Sequence, residues 1–139
     1  MTKMNTISHQ TALIYVMVIV SAADGSMSES ELRIIGELTK ALPAFKNFDH
    51  SRLLAICQEC AQILQEPDGA EAVLGLVKEA LPDVLHETAY WVALEVALAD
   101  RRIALEELRV LGALRRLLDI DKLTAAAIER GARAKYQVP

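Results

Sequence analysis

Apolar residues recur along this chain with the three- and four-residue spacing of α-helices, and no strand-like alternation of any length appears. The first such segment covers about residues 7–23 and carries Leu13, Val16, Met17 and Val20 at helical positions. Six more follow, over about residues 28–42, 51–65, 70–80, 82–99, 105–118 and 121–136. The pattern predicts an all-α fold of about seven helices, built as a single domain over residues 1–139.

Local signals mark several helix ends. Residues 28–31, with the sequence SESE, have the spacing of a capping box at the start of the second helix. The spacing of Leu32, Ile35, Leu38 and Leu42 predicts that these residues form the inward face of that helix. Pro82 fits the first turn of the fifth helix, where a missing N–H costs nothing.

Two parts of the chain resemble each other at an offset of 76 residues, which pairs Asp24 with Asp100 and Glu31 with Glu107. We refer to these residues as the four acids. Further matches at the same offset are Tyr15 with Trp91, Ala23 with Ala99, Arg33 with Arg109 and Gly36 with Gly112. Because chance alignment of two helices matches mostly apolar positions, the polar identities predict an internal two-fold duplicated helical hairpin. Repeat one covers about residues 7–42 and repeat two about 83–118.

The first loop matches part of an EF-hand, in which positions five, six and twelve are often Asp, Gly and Glu. Asp24, Gly25 and Glu31 fit these places. Positions one and three would be Val20 and Ala22, whose side chains cannot bind a cation. The loop is therefore not an EF-hand, and each repeat offers only part of a coordination shell.

Helix capping is the alternative explanation for the two glutamates. The first repeat completes a capping box, whereas the second has Ala104 at the cap position, without a hydroxyl. The two aspartates precede the caps and are not explained by them. The second loop also has Arg101 where the first has Gly25, and a guanidinium beside Asp100 could pair with it and displace a cation. From the residues alone, both the cap and the metal site remain open.

Composition narrows the class of protein. Hydrophobic residues make up 53% of the chain and aromatic residues only 4%, so Ala and Leu carry the apolar content and favour helices. The net charge of −4 and the lack of a basic cluster argue against nucleic acid as a partner. The apolar segment 12–23 is shorter than the roughly 20 residues that span a bilayer, and the N-terminus has no signal-peptide pattern. We expect a cytoplasmic protein without direct membrane insertion.

Three chemically distinctive residues lie within apolar helical segments. Cys57 and Cys60 form a single CxxC without further zinc ligands, so we interpret them as packing residues on a helix face. Glu95 interrupts the apolar sequence WVALEVALAD. Its spacing could turn it inward, near Asp100, where it would need a partner or a raised pKa. We expect instead that it is exposed at the edge of its helix.

The sequences AADGSMSESELRIIGEL and ALADRRIALEELRVLGAL resemble the tellurite-resistance TerB family and its TerB-like relatives. The family pattern is an apolar helix, then Ala-Asp-Gly, then a Glu seven residues after the Asp that opens the next helix. Asp24, Gly25 and Glu31 match it in full. The second occurrence departs from it at the Gly, where Arg101 stands.

The resemblance extends over the whole chain in helix number and layout, with motif-level support over residues 20–38 and 96–114. It implies an all-helical, internally duplicated domain in which acidic residues of both repeats lie close together and bind a divalent cation. It also implies a cytoplasmic role in tellurite and other chemical stress responses, with protein partners that include membrane-associated ones. The family is not known as one of enzymes.

The leading hypothesis is a non-enzymatic metal-binding domain of a stress response, with Asp24, Glu31, Asp100 and Glu107 as ligands. Carboxylate-only ligation favours a hard divalent cation such as calcium, magnesium or manganese. The first alternative is a metal-free helical scaffold that binds a partner protein through an exposed apolar groove. The second is a carboxylate-based metal hydrolase, for which the sequence offers no base or nucleophile beyond the acids. The sequence does not determine the oligomeric state.

Overall fold

A computed structural model describes residues 6–25, 27–100 and 102–139. These residues form seven α-helices and no β-strand, which confirms the predicted all-α class. The helices are α1 (His9–Ala22), α2 (Glu29–Ala41), α3 (Leu53–Leu64), α4 (Gly69–Ala80), α5 (His86–Ala97), α6 (Leu105–Leu117) and α7 (Lys122–Lys135). Short 3₁₀ turns lie at Pro43–Phe45, His50–Arg52 and Asp83–Leu85.

Helix α1 lies at the centre of the molecule. Every residue from Thr11 to Ser21 is buried, as expected for a helix that is apolar on all sides. Its main packing partners are α3, α4 and α5. Ser8 caps its start by accepting a hydrogen bond from the backbone N–H of Thr11. The core around it is one contiguous cluster of apolar side chains.

Helix α5, the counterpart of α1 in the second repeat, is also largely buried and packs directly against α1. The second helix of each hairpin contacts the first helix of both hairpins, because α2 touches α1 and α5 while α6 touches α5 and α1. Helix α7 covers another side of α5. This packing brings the loops that follow α1 and α5 within reach of each other.

The buried side of α2 differs by one position from the predicted one. Leu32 is 44% exposed, so its predicted inward position is wrong. The buried positions are instead Glu31, Ile35, Leu38 and Thr39, which share one helical face. Helix α6 repeats this arrangement, and its buried residues are Glu107, Leu111 and Leu114. In both helices the inward face therefore begins with a glutamate.

The start of α5 also differs from the sequence expectation. Pro82 does not lie in the first turn of α5 but precedes the 3₁₀ turn Asp83–Leu85, and α5 begins only at His86. The N–H of Leu85 donates to the carbonyl of Pro82, which is the hydrogen bond of the tighter turn. Over the ranges that the structure describes, no helix is long and apolar enough to cross a membrane.

We expect Leu13→Ala to lower the free energy of unfolding by about 2–5 kcal/mol, because Leu13 is fully buried in α1 and the change leaves a cavity. Urea unfolding followed by circular dichroism measures this. The matched control is Leu54→Ala in α3, where the side chain is 65% exposed and the change should stay within about 0.5 kcal/mol. Equal effects of the two variants would contradict the central position of α1.

Candidate metal centre

The loops of the two repeats are joined by a hydrogen bond between side chains. The hydroxyl of Ser28, at the start of α2, donates to Oδ2 of Asp100 at 3.2 Å. These residues are 72 positions apart in the sequence. The loop after α5 therefore lies against the cap of α2, which puts acids of both repeats in one region.

The two glutamates meet between these loops. Glu31 and Glu107 are each only 3% exposed, and their carboxyl groups are close enough for each to shift the pKa of the other. Both side chains begin the inward faces of their helices, so packing of α2 and α6 around α1 and α5 carries them inward together. The structure thus brings the glutamates of both repeats into direct proximity.

Each glutamate also caps its own helix. Oε1 of Glu31 accepts from the N–H of Ser28 at 2.9 Å, and Oε1 of Glu107 accepts from the N–H of Ala104 at 2.8 Å. In α2 the hydroxyl of Ser28 completes the box by accepting from the N–H of Glu31 at 3.1 Å. Ala104 has no hydroxyl, so only half of the box forms in α6. Capping accounts for one oxygen of each glutamate but not for the meeting of the two.

The surroundings of the pair disfavour two negative charges. Burial is the largest cause that raises the pKa of Glu31, and its capping N–H opposes this, while the charges of Asp100 and Asp24 raise the pKa further. Burial likewise raises the pKa of Glu107 against its capping N–H, and the charges of Glu31 and Asp24 add to it. Asp24 therefore acts on both glutamates, and the four acids form one electrostatic group.

The two aspartates occupy the outer part of this group, and both are exposed. Gly25, directly after Asp24, has a φ of +101°, a conformation that glycine adopts freely. Ser26 and the predicted departure at Arg101 lie outside the described residues. In residues 6–25, 27–100 and 102–139, no set of three or more acidic, His or Cys side chains stands close enough together to hold a metal ion.

The side chains of the four acids match the kind of cation that the sequence suggests. Four carboxylates are hard oxygen donors, which suit calcium, magnesium or manganese. Within the described part of the chain, no Lys, Arg or His side chain forms an ion pair with any of the four acids. Charge and chemistry therefore fit a hard divalent cation. The two glutamates are close neighbours, whereas the aspartates interact with them through charge.

Comparison with known families adds an independent observation. The sequence profile described as "Tellurite resistance protein TerB" matches residues 10–130. The chain belongs to the TerB family. The match includes all four acids and every helix except the first residue of α1 and the last turns of α7. No curated protein and no solved structure gives a significant match.

The two cysteines of the CxxC in this TerB-family chain have a packing role rather than a chemical one. Cys57 and Cys60 are buried, free thiols on α3. Burial raises the pKa of both, and with the nearby Cys57 it brings the pKa of Cys60 to about 12. The thiol of Cys60 points to the carbonyl of Tyr15 at 4.0 Å. Such thiols are poor nucleophiles and poor metal ligands at neutral pH, in agreement with a packing role.

Glu95 contradicts the sequence expectation. It is fully buried rather than exposed at a helix edge, and its partners are Lys135 and Tyr136 at the end of α7. The sequence signal was the single charge within an apolar helix. Helical spacing shows which face a residue occupies but not which distant side chain covers it, so the two partners on α7 were missed. Ser28 was likewise interpreted as a cap alone, without its bond to Asp100.

The raised pKa values of the glutamate pair predict the pH dependence of stability. The carboxyl group of a glutamate in an unfolded chain has a pKa of about 4.3. The folded protein keeps protons that the unfolded chain has released, so the free energy of unfolding should fall as pH rises from about 4.3 through the folded pKa values. Urea unfolding of chelator-treated protein at several pH values measures this slope.

Glu107→Gln should make that slope shallower, because the amide carries no charge while its oxygen can still accept the capping N–H. Glu79→Gln, at an exposed position of α4, is the matched control and should keep the slope of the unchanged protein. If Glu107→Gln leaves the slope as steep as the control does, the two carboxyl groups are not coupled to folding in this way.

Proposed function

We propose that this TerB-family domain binds a divalent cation between its two acidic loops, without catalysing a reaction, in a cytoplasmic response to tellurite or related chemical stress. The observation that carries the proposal is the meeting of two buried glutamates from different repeats, next to two further aspartates. Calcium, magnesium and manganese are the candidate ions. The domain would act in this response together with a protein partner, including a membrane-associated one.

Two energetic effects of similar size act on Glu31 and Glu107, namely capping hydrogen bonds and charge repulsion. Hydrogen bonds from a capping N–H to a charged carboxylate are each worth about 1.5–3 kcal/mol. Two like charges about 4 Å apart repel by roughly 4 kcal/mol at an effective dielectric constant of about 20. The caps thus hold Glu31 and Glu107 in place while their charges oppose one another. A divalent cation would relieve the repulsion and leave the caps intact.

The four acids and Ser28 have different roles in the proposed site. Glu31 and Glu107 would each offer the oxygen that the cap does not use. Asp24 and Asp100 supply negative charge at the exposed side, where an ion from solvent would approach. Ser28 ties Asp100 to the first repeat, so that both loops stay together. Backbone carbonyls and water would complete the coordination shell.

Isothermal titration calorimetry of chelator-stripped protein with calcium, magnesium and manganese tests the proposal. We expect Glu31→Gln and Glu107→Gln to weaken binding of the preferred ion at least tenfold, because each removes a charged ligand but keeps a capping acceptor. Asp24→Ala should weaken it less, since Asp24 is exposed. Glu79→Gln on α4 is the control for loss of one negative charge. Unchanged affinity in both glutamate variants would reject the proposed site.

A metal-free interaction scaffold is the second candidate, and one observation favours it. A pocket of about 370 Å³ lies between α1, α4 and α6, and its lining is mostly apolar, including Ile19, Leu74 and Val110. Its wall includes Ala23, directly before Asp24, and Arg109 at the other side. An apolar side chain of a partner protein would fit there whether or not a cation is bound.

Thermal melting separates the two candidates. If a cation binds the folded state, the melting temperature rises with its concentration, with about 2.7 kcal/mol of stabilisation at one hundred times the dissociation constant. A metal-free scaffold predicts equal melting temperatures in chelator and in each of the three cations. The Glu31→Gln, Glu107→Gln double variant is the control, because its melting temperature should ignore the cations in either case.

A further inference from the structure

Glu95 is a buried carboxylate whose hydrogen bonds are only half complete. It lies in the last turn of α5 and has no exposed surface. Its Oε1 accepts from Nζ of Lys135 and from the hydroxyl of Tyr136, each at 2.7 Å. Its Oε2 is buried and has no hydrogen-bond partner in the described part of the chain. A buried charged oxygen without a donor is unfavourable, so the site can accept one more donor.

Aromatic rings surround the ammonium group that pairs with Glu95. Nζ of Lys135 lies 5.4 Å from the ring centroid of Trp91 and 5.3 Å from that of Tyr136. Both distances are within the range of cation–π attraction. Two aromatic faces and a carboxylate are the groups that proteins use to recognise organic ammonium ions. We call Trp91, Glu95 and Tyr136 the ammonium cage.

The ammonium group of Lys135, which occupies the ammonium cage, can leave it without unfolding of the domain. The side chain of Lys135 is 51% exposed, while that of Glu95 is fully buried. Lys135 is the last residue of α7, and its four-carbon stem is intrinsically flexible. Rotation of this one side chain would expose the carboxylate to a ligand. The cage itself would stay in place, because Trp91 and Glu95 belong to the buried helix α5.

An apolar pocket adjoins the cage along the same side of α5. It has a volume of about 600 Å³ and shares Trp91 as part of its wall. Thr88 also belongs to the wall. The spacing of three residues from Thr88 to Trp91 and of four from Trp91 to Glu95 places all three on one face of α5. The rest of the wall is mostly apolar, including Leu42 and Ile128 from other elements, and it also contains Glu87 of α5. The pocket therefore suits the apolar chain of a ligand whose charged end reaches Glu95.

Other charges near the cage favour a cation. Burial and the hydrogen bond to Glu95 raise the pKa of Tyr136, and the negative charges of Glu95 and then Glu37 raise it further. Glu37 belongs to α2, so acids from two helices face this region. Lys135 is the cation that the described residues provide against them.

We propose that Trp91, Glu95 and Tyr136 form a binding site for a primary organic ammonium ion with an apolar chain, and that Lys135 occupies this site in the absence of the ligand. The ammonium of the ligand replaces that of Lys135 between the rings. With three N–H groups it can donate to Oε1 and also to Oε2, which Lys135 leaves without a partner. The site is separate from the four acids and does not depend on cation binding there.

The test uses the fluorescence of Trp91, the one tryptophan of the chain. Lys135→Ala removes the internal occupant, and n-butylammonium chloride is the probe, with sodium chloride of equal concentration as the reference. We expect a saturable change of Trp91 emission in Lys135→Ala at a concentration at least tenfold lower than in the unchanged protein. The melting temperature of the variant should rise over the same range. All measurements are made with chelator present, so a divalent cation plays no part.

Lys78→Ala is the matched control, because Lys78 is an exposed lysine in the last turn of α4. It should respond to the amine like the unchanged protein. If Lys135→Ala gives no saturable response, or one equal to that of Lys78→Ala, the proposal is overturned. A purely structural ion pair would also let butylammonium fill the cavity of Lys135→Ala, but it predicts no saturable response of Trp91 in the unchanged protein. Absence of that response in the unchanged protein therefore also overturns the proposal.

Lys135→Met keeps the apolar stem and serves if Lys135→Ala does not fold. The same amine response is expected, and its absence overturns the proposal in the same way. In the Lys135→Met background, Glu95→Gln should weaken the amine at least tenfold, because the ammonium loses its charged acceptor. Amine binding that is unchanged by Glu95→Gln would also overturn the proposed site.

Discussion

Helix α1 is buried on every side, and this constraint arranges the other helices around it. An apolar helix without a polar face gains most free energy when its whole surface leaves water, so several helices must pack against it. Its counterpart α5 supplies one of these contacts and is itself largely buried. Helices α3 and α4 cover much of the rest of α1, and the second helices of the two hairpins, α2 and α6, complete the cover. With α1 and α5 packed together, the loops that follow them lie side by side.

The acids of the two loops gain their electrostatic character from this arrangement. Isolated on a solvated helix end, a glutamate in the first turn would be an ordinary cap that favours the helix dipole. Here the same face that carries Ile35 and Leu111 into the core also carries Glu31 and Glu107 inward. Each capping bond fixes one oxygen of its glutamate. The two carboxyl groups must then share a small, poorly solvated space, and this is the physical basis for proposing a cation there.

The same helical bundle contains a third buried glutamate, whose hydrogen-bond partners differ from those of Glu31 and Glu107. Glu95 is balanced by the ammonium of Lys135 and the hydroxyl of Tyr136, whereas the pair of Glu31 and Glu107 meets no cationic side chain among the described residues. Among the described residues, Glu95 thus has a cationic partner, whereas Glu31 and Glu107 have only backbone donors and each other. Because of this contrast we propose different ligands for the two regions, an organic ammonium ion at Glu95 and an inorganic cation at the four acids.

The sequence by itself determined the seven helices and the capping box of α2, and it predicts the repeat, because helical spacing, capping residues and matched acids are local signals. The TerB resemblance followed from the same residues and agrees with the family match over residues 10–130. Only the tertiary structure decided that the inward face of α2 begins at Glu31 rather than Leu32, and that Glu95 is buried against Lys135 and Tyr136. Periodicity defines the face of a helix to within about one position. The partner on that face is set by packing between helices distant in the sequence, about which local spacing carries no information.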